Sequence, residues 1–152
     1  MKKHLTRKNI VRALLVLFIL AQFKTIDKTP RDTRPENDLL VMSNAPEDVR
    51  TLLKAACYDC HSNSTNYPWY SNIAPVSWWI KRHSRRGAFK INYSEWSSYD
   101  EAEIITKKKK SAEFIKKGWM PIGSYKLMHP EARLTDEQRE TLANWFLAVP
   151  LH

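Results

Sequence analysis

The chain has 152 residues, 43% of them apolar and only three glycine, which excludes a disordered or low-complexity protein and leaves one domain's worth of core. Two cysteines cannot build a disulfide framework. The net charge of +9 is unevenly spread: six of the 25 basic side chains fall in residues 1–24, which hold no acid, so the remainder carries nineteen basic against sixteen acidic residues and no nucleic-acid footprint is read from it.

Residues 1–12 are basic, and Ala13 to Ala21 (ALLVLFILA) is an unbroken apolar run. With Ile10, Val11 and Phe23 the stretch reaches about 14 residues, short for a membrane span and the size of a signal-peptide core. Residues 1–23 are read as an uncleaved signal anchor in preference to a cleaved signal peptide, because Ala21-Gln22-Phe23 is a poor small-x-small cleavage site. A buried N-terminal helix of a cytosolic domain is the third reading. The basic flank favours insertion with everything after Lys24 outside the cytoplasm. Residues 24–44 are polar, contain proline and read as a linker.

The ordered domain is expected over 45–152. Pro46 in a first turn followed by Glu47 and Asp48 opens a helix, and Val49, Leu52, Leu53 and Ala56 continue it at helical spacing into Cys57. Cys57-Tyr58-Asp59-Cys60-His61 is a C-x-x-C-H box, the attachment site of a c-type haem. Two thiols three positions apart reach two vinyl groups on one porphyrin edge, and the histidine that follows is held under the iron. Both cysteines of the chain lie in this box. The loop after it carries Tyr67, Trp69 and Tyr70, and its aromatic density leaves two readings open, packing on a haem face or ordinary core. Val76 to Arg86 reads as a helix stopped by Gly87 and carries Ile80 with Trp78 and Trp79, which join Tyr67, Trp69 and Tyr70 as candidates for haem-pocket packing. A capping box at Ser98-Tyr99-Asp100-Glu101 opens the next helix, which ends at Gly118; the Lys107–Lys110 run within it is read as a solvated face. Thr135 to Gln138 is a second capping box, opening a helix whose apolar face is Leu142, Trp145, Phe146 and Val149. No strand alternation is found, so the fold class is all-α.

One C-x-x-C-H box supplies one iron ligand. Candidates for the other are Met42, His83, Met120, Met128, His129 and His152, with His4 on the wrong side of the membrane in the anchor reading. Met120 is preferred, because Gly118-Trp119-Met120-Pro121 is a turn in which backbone geometry can hold a methionine. His83 and His129 are its rivals, and an open sixth position is the remaining reading.

Residues 45–149 resemble the bacterial haem-binding-domain family of exported monohaem c-type cytochromes. The likeness runs through Cys57-Tyr58-Asp59-Cys60-His61-Ser62-Asn63, Tyr67-Pro68-Trp69-Tyr70, Ile73-Ala74-Pro75-Val76-Ser77-Trp78-Trp79, Met120-Pro121, His129-Pro130-Glu131-Ala132, and Leu134-Thr135-Asp136 into Trp145. It implies a small cytochrome-c-like helical domain around one covalent haem behind an N-terminal membrane segment, on the periplasmic side of the inner membrane. It also supports Met120 as distal ligand to His61. Ser84-Arg85-Arg86 is more basic than that pattern. The expected function is single-electron transfer to redox partner proteins, without catalysis. A haem sensor or peroxidase-like enzyme with an open or displaceable sixth ligand is the alternative, and a third is zinc bound by Cys57, Cys60 and His61 with His83 or His129, or a redox dithiol of the two cysteines.

Overall fold

The computed structural model describes residues 6–150. Among them every regular element is helical and no strand occurs. The α-helices are α1 (Arg7–Gln22), α2 (Leu39–Met42), α3 (Glu47–Leu53), α4 (Asp59–His61), α5 (Val76–Lys90), α6 (Glu101–Lys116), α7 (Gly123–Met128) and α8 (Asp136–Ala148). The chain forms two compact units, one of residues 6–29 and 67–83, the other of 30–66 and 84–150.

The second unit holds the apolar core. Trp96, Phe146, Leu39, Leu40, Leu53, Ile104 and Leu142 are its largest fully buried members, joined by Val49, Tyr93, Ala112 and Ile115. The expected helix into the box is present: Pro46 is the N-cap of α3, Glu47 and Asp48 occupy its first turn, and a π-helical turn over Lys54–Tyr58 carries it on into α4. The extra residue in that turn re-aims the side chains after it. The linker reading of 24–44 is corrected at its end: Asp38 caps α2 through its carboxylate on the Leu40 amide (2.9 Å), and Leu39 and Leu40 enter the core. Two leucines in a polar segment are too few to show a period.

Two helix ends also differ from expectation. α5 does not stop at Gly87 but runs through it to Lys90. The cap of α6 is Asp100, paired with Glu103, two residues beyond the expected Ser98. α6 is unbroken and ends where glycine permits, with Gly118 at φ 68°. α8 starts on the expected box of Thr135 with Gln138 and buries Leu142, Ala143 and Phe146, while Trp145 packs on the core edge.

In the first unit, α1 buries no residue. Its 16 residues make roughly 24 Å at ~1.5 Å each, against a hydrocarbon core of about 30 Å. No helix among the described residues is long and apolar enough to cross a membrane, which corrects the expectation of a spanning anchor. The Gln22 side chain binds the Ala74 backbone twice, its amide donating to the Ala74 carbonyl (3.2 Å) and its carbonyl accepting from the Ala74 N–H (3.0 Å). Trp78 donates its Nε1–H to the Lys24 carbonyl at 2.7 Å.

Candidate functional site

Cys57, Cys60 and His61 lie on one continuous helical path, Cys57 buried and Cys60 half-buried, both as free thiols. Burial is the main cause that pushes Cys57 up to about 12 and Cys60 up to about 11, with Cys60 adding to the first and Asp59 to the second. Reactive dithiols have depressed values, so this pair does not have the electrostatics of one. Among the described residues no three His, Cys, Asp or Glu side chains converge to hold a metal ion, which leaves the zinc reading without support.

His61 is aimed by α5. Its Nδ1 lies 3.1 Å from the carbonyl of Gly87 and 3.1 Å from that of Ile91, so Nδ1–H donates to this pair and Nε2 keeps its lone pair. Burial holds the imidazole below its usual value, opposed by the Ile91 and Gly87 carbonyls. A neutral histidine with one nitrogen anchored on backbone oxygen is the form that ligates iron. The ring also packs 5.8 Å from that of buried Tyr93, which in turn meets Tyr58 (5.5 Å) and Phe146 (6.0 Å).

α5 reaches His61 only because position 87 lacks a side chain. A Cβ built there falls 2.3 Å from the Cys60 carbonyl oxygen and 3.1 Å from Cys60 Cβ. Gly87 is thus a helix–helix crossing point, not a stop signal.

The two residues between the cysteines are both fastened. Tyr58 donates its hydroxyl to Asp38 Oδ1 at 2.8 Å, tying the box to the cap of α2. Asp59 accepts from the Tyr125 hydroxyl at 2.8 Å and from the Asn66 amide at 3.0 Å. Behind the box, buried Asn63 donates to the Asp32 carbonyl and to Glu95, and accepts from the Asn92 side chain at 2.8 Å. No local spacing or period in the sequence marks these partners.

Met120 is half-buried in the same unit, in the turn after α6. Its amide donates to Phe114 (3.3 Å), and Arg139 of α8 donates from one nitrogen to both the Ile115 carbonyl (3.2 Å) and the Met120 carbonyl (3.1 Å). Met120-Pro121 is a cis peptide, as is Ala74-Pro75. The backbone constraint expected of this methionine is therefore present, with Arg139 as its unforeseen agent.

The rival ligands have other surroundings. His83 belongs to the other unit, where its ring packs 4.0 Å from Trp79 and its Nδ1 bonds the Trp79 carbonyl. His129 caps α7, stacks on Tyr125 at 4.1 Å and pairs with Glu131 at 2.9 Å. Met42 packs against the core and Met128 is half exposed at the end of α7. His4 and His152 lie outside the described residues. Tyr67, Trp69, Tyr70, Trp78 and Trp79 all belong to the first unit; Trp69 is 73% exposed, which removes ordinary core burial as its account, and Trp79 is 43% exposed.

A family model described as a haem-binding domain matches residues 16–148. No curated protein and no solved structure matches the chain.

Proposed function

We propose, from the premise that this chain belongs to the haem-binding domain family, that it is a monohaem c-type cytochrome carrying single electrons outside the cytoplasmic membrane. On this reading Cys57 and Cys60 would hold one haem through thioether bonds, and His61 Nε2 and the Met120 sulfur would bind its iron. The haem, when bound, supplies a one-electron iron couple.

The protein's part is positional. The observation that carries the reading is the sharing of His61 Nδ1–H between the Gly87 and Ile91 carbonyls, which leaves only Nε2 for iron. Arg139 holds the Met120 turn by its carbonyl, so the thioether sits on a fixed backbone. A methionine ligand favours the reduced iron relative to a second histidine. With His61 and Met120 both bound to it the iron would have no place for a substrate, and on this reading the protein is a carrier and not an enzyme. Its partners are redox proteins met on the periplasmic side of the inner membrane.

Haem staining after denaturing electrophoresis tests attachment: the pigment stays with the wild-type chain and leaves a Cys57→Ser/Cys60→Ser variant. The oxidised spectrum tests the ligands. Wild type is expected to be low-spin with the weak far-red band of sulfur-to-iron charge transfer, and Met120→Ala to be high-spin and to bind carbon monoxide readily when reduced. An unchanged spectrum in Met120→Ala moves the ligand to a histidine, and high-spin wild-type protein favours the sensor or peroxidase-like alternative.

A further inference from the structure

The Tyr67–His83 segment is built inside out. Ser71, Ala74 and Ser77, three residues apart, are buried at 0%, 2% and 3% exposure, while Ile73, Val76 and Trp79, also three apart, stand at 37%, 42% and 43%. On a water-facing surface small polar residues lie outside and large apolar ones inside. Trp69 continues the exposed apolar face just before it. The same unit holds α1, on which Ile10 and Val11, and Leu14 to Leu20, are exposed on every side. Such a surface needs a cover.

Charge selects what covers it. Residues 6–29 and 67–83 hold seven Lys and Arg against one acid, Asp27, while residues 30–66 and 84–150 hold sixteen against fifteen. Three of these cations are placed on aromatic rings: Lys24 lies 5.7 Å over Trp78, and Lys28 and Lys81 lie 5.6 and 5.7 Å over Tyr67. Lys28 also donates to Asn72 at 2.7 Å, and Lys81 to the Tyr67 hydroxyl at 3.4 Å. Tryptophan and tyrosine beside lysine is the composition that settles where headgroups meet acyl chains. With the Gln22–Ala74 and Trp78–Lys24 bonds, the segment is fixed beside the C-terminal end of α1.

We infer that residues 6–29 and 67–83 form a monotopic platform for a bilayer bearing anionic headgroups. In this arrangement α1 is embedded without crossing, Trp69, Ile73, Val76 and Trp79 enter the acyl boundary, and Lys24, Lys28 and Lys81 lie among the headgroup phosphates. The inference deepens the membrane location proposed above and is independent of the iron ligands.

The test uses the full-length haem-loaded protein, transferred from detergent to vesicles of phosphatidylglycerol or phosphatidylcholine. A polarity-sensitive fluorophore is placed at Val76→Cys, with Leu127→Cys, exposed in the second unit, as control. Phosphatidylglycerol vesicles should shift the emission at 76 to the blue and make it quenchable by lipid-borne nitroxide, with no change at 127. Lys24→Gln/Lys28→Gln/Lys81→Gln should weaken binding to phosphatidylglycerol at least about tenfold, towards the phosphatidylcholine value. Co-sedimentation with the label at 76 still in water overturns the platform while leaving α1 as the membrane contact. Equal binding to both lipids overturns the headgroup assignment. A label already shielded before vesicles are added assigns the face to protein, and a chain that stays in the supernatant overturns the membrane location itself.

Discussion

At the residue scale, the box is held by groups that its own five letters do not mention. Tyr125 is the most testable. Its hydroxyl is kept protonated by burial and by Asp59, and it donates to Asp59 between the two cysteines. Tyr125→Phe removes that donor while leaving the ring stacked on His129. The expected loss is about 1–2 kcal/mol in urea unfolding, and Asp59→Asn with Tyr125→Phe should cost less than the sum of the single changes. Additive costs would show that the contact contributes nothing. The box itself was legible because its chemistry is local in sequence. Its fasteners were not, because Tyr58 meets Asp38 across 20 positions and Asp59 meets Tyr125 across 66, and pairings that distant leave no period or spacing to read.

At the element scale, helix starts were readable and helix neighbours were not. Thr135 with Gln138 opens α8 where the capping pattern placed it, since a capping box is satisfied within four residues. At α6 two acceptable caps, Ser98 and Asp100, compete; a 3-10 turn over Tyr93–Ser98 takes the first, and Asp100 becomes the cap. The lysine run gave a similar lesson. Read as a solvated face, it is so for Lys109 and Lys110, but Lys107 donates to the Lys90 carbonyl at 3.2 Å and lies 4.1 Å over Tyr99, while Lys108 donates to the Val149 carbonyl. Two lysines thus satisfy the open carbonyl ends of α5 and α8. Lys108→Met should lower stability by about 0.5–1 kcal/mol, with Lys109→Met neutral, by thermal or urea unfolding. Equal effects would return the whole run to solvent.

At the scale of the molecule, the net charge belongs to one unit. The second unit is close to neutral, with sixteen basic and fifteen acidic residues, and it contains the box, Met120 and the whole apolar core. The first unit has Trp69 and Trp79 exposed and most of the excess positive charge. The hydrogen bonds that tie Gln22, Lys24 and Lys28 to the Tyr67–His83 segment begin and end within the first unit. Cys57→Ser/Cys60→Ser should therefore lose the covalent pigment and still co-sediment with phosphatidylglycerol vesicles as the wild type does. Loss of both together would make lipid binding depend on haem. The overall charge was visible from composition, but its assignment needed the fold, because residues 67–83 join the N-terminal segment only in three dimensions.

The crossing at Gly87 has a consequence for which sequences can occupy this fold. An added methyl group there meets main-chain oxygen, which cannot rotate out of the way as a side chain can, whereas at Gly123 it meets nothing within 4 Å. In a saturation library scored by pigment on denaturing gels, position 87 should return glycine alone, alanine and serine included among the losses, and position 123 should accept most residues. Recovery of alanine at 87 with full pigment would mean that α5 can be displaced without cost. Otherwise the permitted alphabet at one helical position, and not the motif, sets how far sequences can drift while keeping His61 aimed.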